Sequence, residues 1–261
     1  MKKKHILVAA LCLLGAGLAA CSGDDESQQP QGDAWFVSIP ATKGGGAVEA
    51  ATRALSFDGS ALSAAWSTGE SVTVVLYGAD MGTLHPDANA ATANLTGTLQ
   101  DAVVSYAAGQ LLDLWFPLYA GAAIDYTGQK GTLADIASNF DYAHATATIT
   151  AVNKDTKTLT VSAATFTNPQ AIVRFTLKDA DGNDLAVTSL EVYKGETLIA
   201  SAPAMDAASS EVWMAIPPVS GEQIALKAAT AGGTNYQYTR DVATFKAGSY
   251  YPVNVKMKTS V

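Results

Sequence analysis

The chain has 261 residues, with 24 acidic against 16 basic side chains and a formal charge of −8. That balance excludes a nucleic-acid binder of the basic kind, since phosphates are neutralised by lysine and arginine stripes, and a 48% hydrophobic share excludes a wholly disordered chain. Short runs rich in Ala, Thr and Val, separated by 22 glycines, instead give the composition of an all-β protein in one large domain or two ordinary ones.

The chain opens with Lys2, Lys3 and Lys4, followed by an apolar run over residues 6–18 that is too short to cross a bilayer as a helix. It closes on Leu18-Ala19-Ala20-Cys21, which resembles the lipobox of bacterial lipoproteins. By that resemblance residues 1–20 are a lipoprotein signal peptide, and Cys21 becomes the lipid-bearing first residue. Cys12 leaves with the signal, so thiol catalysis and thiolate metal sites are excluded. Loss of the signal leaves 13 basic against 24 acidic residues. The acidic Ser22-Gly23-Asp24-Asp25-Glu26 that follows is a solvated tether, and it resembles the export tag of lipoproteins that reach the outer face of the outer membrane.

Residues 27–33 are polar, carry Pro30 and Gly32, and read as linker. The next run, Ala34-Trp35-Phe36-Val37-Ser38-Ile39-Pro40, is a strand that proline is expected to stop. Alternation places Trp35, Val37 and Ile39 on one face and Phe36 on the other. Seven residues span about 23 Å, and burying the three on the first face contributes about 1.5–3 kcal/mol each. Ala41-Thr42-Lys43-Gly44-Gly45-Gly46 is expected to be flexible and exposed. Arg53 then stands alone in an open stretch before Ala54, as a trypsin-like protease requires of an extended substrate.

Beyond Ala54 the reading is strand after strand. Residues 72–77, 91–99 and 102–106 are strands, and 111–118 is a strand or a short helix. Residues 132–137 are the one helix candidate. Residues 146–152 and 158–163 alternate around Asn153-Lys154-Asp155-Thr156, a hairpin signal. Phe166-Thr167-Asn168-Pro169-Gln170 breaks the pattern, which puts a domain boundary between 167 and 168. Strands then follow over 171–178, 185–193, 197–200, 212–216, 223–228, 236–239 and 250–257, the number and spacing of a sandwich. In the last of these Tyr251, Val253, Val255 and Met257 alternate with polar residues, so that strand either closes its own domain or is given to a neighbour.

Residues able to carry chemistry are sparse. Asp179-Ala180-Asp181-Gly182-Asn183-Asp184 gathers carboxylates round a glycine, but the twelfth position of a calcium loop falls on Leu190, and Asp-Gly is ordinary turn chemistry. His85 and His144 each lack a second histidine nearby. With no nucleophile elbow and no phosphate loop, the expectation is a non-enzyme with neither cofactor nor metal. Trp66, Trp115 and Trp213 sit in apolar runs that suit a core. If exposed, they would stack on sugars and favour a glycan-binding lipoprotein of an outer-membrane uptake system.

A lipobox, an apolar strand and an Arg before a small residue together resemble the N-terminus of the fimbrillins, the subunits of type V pili. Two further stretches are similar to that family: Ser56-Phe57 through Trp66-Ser67-Thr68-Gly69-Glu70-Ser71-Val72-Thr73-Val74, and Phe245-Lys246-Ala247-Gly248-Ser249-Tyr250-Tyr251-Pro252-Val253-Asn254-Val255. The resemblance implies an outer-membrane precursor anchored by lipid on Cys21, with a tether, plug strand and propeptide over 21–53. It also implies two transthyretin-like β-sandwich domains over 54–167 and 168–261. In the implied pathway an Arg-specific surface protease cuts between Arg53 and Ala54. The plug carrying Trp35, Phe36, Val37 and Ile39 is then replaced by a strand of another pilin subunit, and the polymer supports adhesion.

Overall fold

A computed structural model describes residues 34–44, 55–59, 62–101, 105–117 and 123–260. Cys21, Arg53 and Ala54 lie outside the described residues, as does the tether. Among the described residues the regular secondary structure is almost all strand, as the composition predicts.

The first half is built from β1 (Trp35–Lys43), β4 (Val72–Leu76), β5 (Ala79–Pro86), β6 (Thr92–Leu99), β7 (Leu111–Phe116), β8 (Ala143–Asn153), β9 (Thr158–Val161) and β10 (Ala164–Phe166), while β2 (Ser56–Phe57) and β3 (Leu62–Ser63) form a small separate hairpin. In the large sheet the neighbours run β1-β6-β5-β4-β7-β8-β9, and β9 pairs back onto β1. Seven strands therefore close on themselves, with β10 lying beyond β9 along the same side of β1. Alternation along each strand turns Val37, Ile39, Leu84, Leu95, Leu99, Leu112, Leu114 and Ile149 inward to fill the interior. At Gly82 and Gly97 an added Cβ would meet the carbonyls of Thr98 and Thr83 at 2.7 Å. Strands β5 and β6 approach this closely only because neither position carries a side chain.

The second half contains β11 (Ala171–Lys178), β12 (Ser189–Lys194), β13 (Thr197–Ala202), β14 (Glu211–Ile216), β15 (Val219–Ala229), β16 (Asn235–Phe245), β17 (Tyr250–Lys256) and β18 (Lys258–Thr259). They form a three-stranded sheet, β14-β11-β17, and a five-stranded sheet, β13-β12-β15-β16-β18, over a shared core that includes Val173, Phe175, Leu190, Leu226 and Met257. Leu62, Tyr126, Ile136 and Tyr142, which precede β11 in the chain, pack into that second core. The Gln129 side chain spans to β14 like a short strand, donating to Ala215 O and accepting from Ala215 N, both at 2.8 Å. At residues 167–170 the buried Asn168 and Gln170 amides both donate to Asp141 Oδ1, at 2.7 and 3.2 Å, and tie the connection down.

Several expectations are corrected. The first strand does not stop at Pro40; it continues to Lys43, so Ala41 and Lys43 are buried rather than flexible and exposed. The N–H groups of Phe36 and Gly44 both point to the β9/β10 side, so by alternation the N–H that Pro40 lacks would point there too. On that side Pro40 has no register partner, because β9 pairs with residues 36–38 and β10 with residues 41–43. The proline sits where no ladder bond is lost. Ser105 and Tyr106 are not in a strand, since the place beside β6 is occupied by β1. The helix candidate shrinks to a single turn, Leu133–Asp135, capped by Thr132 and continued by a π-helical turn, Ile136–Phe140. The segment 111–118 resolves to strand β7, and β5 and β10 were not anticipated.

Candidate functional site

Strand β1 is held on both sides. It pairs antiparallel with β6 through eight residues, from Trp35 opposite Leu99 to Thr42 opposite Thr92. On its other side it pairs parallel with β9 and then β10. Its inward residues Trp35, Val37, Ile39 and Ala41 belong to the first core, and Phe36 lies half-buried on the outer face.

Both ends of the strand carry polar anchors. At the start, the Trp35 indole donates to Asp101 Oδ1 at 2.9 Å and packs edge-on against Tyr106 at 5.5 Å. Lys157 lies 5.1 Å from the Trp35 ring and 3.3 Å from Asp101. The Trp35 hydrogen bond, with Lys157 added, holds the Asp101 carboxyl below the usual carboxylate range. Burial, helped by the nearby Asp101 charge, pushes the Tyr106 phenol up to about 12.

That shift has a measurable consequence. The folded state keeps Tyr106 protonated where the unfolded chain ionises, so its contribution is fully present below about pH 10 and falls as pH rises toward about 12. Tyr106→Phe removes the hydroxyl that donates to Gln100 O at 2.7 Å. The substitution is expected to lower stability by about 0.5–1.5 kcal/mol at neutral pH. It should also flatten the alkaline decline relative to the unaltered chain, as measured by denaturant unfolding at a series of pH values.

At the far end, Lys43 turns inward with its side chain wholly buried. Its Nζ donates to Glu70 Oε2 at 2.8 Å and to Ala65 O at 3.0 Å, and lies 4.3 Å from the Trp66 ring. The Glu70 carboxylate is itself placed by a tight turn, accepting from Ser67 N at 3.1 Å while Glu70 N donates to Ser67 O at 2.9 Å. Trp66 donates to the β1 carbonyl of Ala41 at 3.2 Å and packs edge-on to Phe166 at 5.1 Å. Lys43, Glu70 and Asp101 were missed by sequence reasoning. Only Lys43 left a signal, being in phase with Trp35, Val37, Ile39 and Ala41 once the strand is carried past Pro40.

The other sequence candidates fall elsewhere. Trp66 and Trp213 are 1% and 6% exposed, and Trp213 stacks on Tyr250 at 5.6 Å, so neither offers a free ring face to a sugar. Trp115 is half-buried against His144 at 4.1 Å, with Asp113 3.3 Å from the imidazole. The Asp179 loop is a turn in which Asp179 accepts from Asp181 N, Asn183 N and the Asn183 amide, and Asp184 pairs with Lys178 at 2.8 Å. Among the described residues no group of three His, Cys, Asp or Glu side chains could hold a metal ion. Among the same residues no helix is long and apolar enough to cross a membrane. Tyr251 and Val253 are partly buried on β17, and Val255 and Met257 are fully buried in the second core.

No family model matches the chain. No curated protein matches it. Among solved structures it is similar to a protein assigned to cell adhesion from Bacteroides uniformis, at 15% identity over 86% of this chain and 96% of that one, with a TM-score of 0.44. A second such protein, from Bacteroides ovatus, aligns at 12% identity over 87% and 96%, with a TM-score of 0.44. A fimbrial assembly protein from Parabacteroides distasonis aligns at 12% identity over 85% and 92%, with a TM-score of 0.41.

Proposed function

We propose that the chain is a structural subunit of a cell-surface pilus, exported as an outer-membrane lipoprotein on Cys21. It is trimmed between Arg53 and Ala54 and polymerised when a strand of another pilin subunit takes the place of β1. The observation that carries this reading is the position of β1: it closes the first sheet, yet it is the first described strand and lies upstream of Arg53. A cut after Arg53 would leave β1 attached by non-covalent contacts alone. Its departure would expose the edges of β6 and of β9 with β10, along with the interior faces that Val37 and Ile39 cover. Such a slot is completed by strand addition. In the second half, two sheets over one core support the transthyretin-like sandwich that the family resemblance implies.

The test is limited digestion of the full precursor with an arginine-specific protease. An early cut after Arg53, loss of residues 22–53 and ladders of strand-linked subunits are expected, while Arg53→Ala stays monomeric. A cut protein that keeps residues 34–53 and remains monomeric at high concentration would defeat the reading. Carbohydrate binding by the uncut monomer would favour the glycan-binding alternative.

A further inference from the structure

We infer that the strand replacing β1 comes from a different polypeptide, and that it carries a lysine or arginine at the Lys43 register behind three alternating apolar residues and one small one. This inference rests on the removable-strand reading above.

The slot is apolar along most of its length, where Trp35, Val37, Ile39 and Ala41 lie. It ends against a charge. The Glu70 side chain is only 16% exposed and is fixed by its own turn. Removing β1 withdraws the Lys43 ammonium from that carboxylate, from the Ala65 carbonyl and from the Trp66 ring at once. An incoming strand with an apolar side chain at this register would bury Glu70 without a counter-charge, which is strongly unfavourable. A cation there restores the ion pair, the carbonyl hydrogen bond and the contact with the indole face. The preceding inward position is also constrained, because Trp66 Nε1 donates to the carbonyl of Ala41 at 3.2 Å and the ring lies against the strand there. A small residue fits, as Ala41 does.

The chain's own C-terminal strand does not meet this requirement. With Tyr251, Val253, Val255 and Met257 facing inward, Thr259 falls at the Lys43 register. Sliding it by two residues brings Met257 or Val261 there instead. Facing it the other way offers Lys256 or Lys258, but then turns Pro252 and Asn254 into the core positions. That strand is also engaged at home, paired with β11 over seven residues. Apart from residues 35–43, the sequence read in either direction offers this spacing only at Ala122, Ile124, Tyr126, Gly128 and Lys130, and there Tyr126 is already buried in the second core.

The test uses the full chain with a specific protease site placed between Gly46 and Arg53, so that the cut does not depend on Arg53. After cutting, labelled peptides compete for the slot in a fluorescence anisotropy assay: residues 34–44, the same peptide with Lys43→Met, and residues 250–260. The 34–44 peptide is expected to enter, the Lys43→Met peptide to bind at least about tenfold more weakly, and the 250–260 peptide weaker still. Glu70→Gln in the chain is expected to narrow the gap between the first two. If the 34–44 peptide never enters, the removable-strand reading fails. If it enters and the Lys43→Met or 250–260 peptide binds as well, or if Glu70→Gln leaves the gap unchanged, the cation requirement is overturned while strand replacement stands.

Discussion

Ile39→Ala is expected to destabilise the first core by about 2–5 kcal/mol, the range for removing a large aliphatic side chain from a packed interior. Ile39 is fully buried at the middle of β1, opposite Leu95 and among side chains contributed by the whole ring of strands. A cavity there cannot collapse easily, because the surrounding backbone is fixed by ladders on both sides of β1. The energetic loss should appear in more than the altered strand. Since β1 joins β6 to β9, loosening it weakens the register of the first sheet at its point of closure. Hydrogen exchange would show this as faster exchange of the β6 and β9 amides, with those of β12 and β15 unchanged. Thr42→Ala, on the outer face of the same strand, should stay within about 0.5 kcal/mol. Equal effects at Ile39 and Thr42 would mean that β1 contributes little to the core.

Met257→Asp is expected to abolish cooperative folding of the second half, a loss above about 4 kcal/mol. Met257 is fully buried beside Val255, and its N–H donates to Lys178 O at 2.8 Å where the chain passes from β17 to β18. Those two strands belong to opposite sheets, so this short crossing connects both layers over the second core. An aspartate there would be a buried charge with no partner in that core. Far-UV circular dichroism with intrinsic fluorescence of Trp213, which packs against Phe57 and Tyr250, would follow the loss. A C-terminal strand held loosely for donation would tolerate the same substitution with little change, so the result distinguishes closure from donation.

The strands with clean period-two alternation were legible, because one face of each is buried. The hairpin of β8 and β9 shows this, with Asn153 Oδ1 accepting from Asp155 N and Thr156 N in its turn. What stayed hidden depended on partners distant in sequence. Pro40 reads as a stop, and it is harmless because neither β9 nor β10 pairs with it. Strand β5, with Gly82 inside it and Pro86 at its end, has poor local propensity and exists because β4 and β6 flank it. Residues 105–106 lost their expected strand because β1, some 60 residues earlier in the chain, lies beside β6. At the site, the apolar face of β1 could be read from the sequence, whereas Glu70 could not. A Gly-acid turn is commonplace, and its function depends on a lysine 27 residues away.

Pro40 lies between the registers of β9 and β10, which matters to any segment that takes the place of β1. On the side of β9 and β10, Phe36 and Gly44 donate to Lys157 O and Phe166 O and residues 36–38 and 41–43 are in register, whereas position 40 falls between the two pairings. A substitute segment with any residue but proline there would bring an amide hydrogen to a position that neither β9 nor β10 pairs, and that donor would have to be satisfied. Imino acid at that point spares the seam a trapped donor, so the wild-type segment is better matched to its berth than a generic hydrophobic ribbon of equal length.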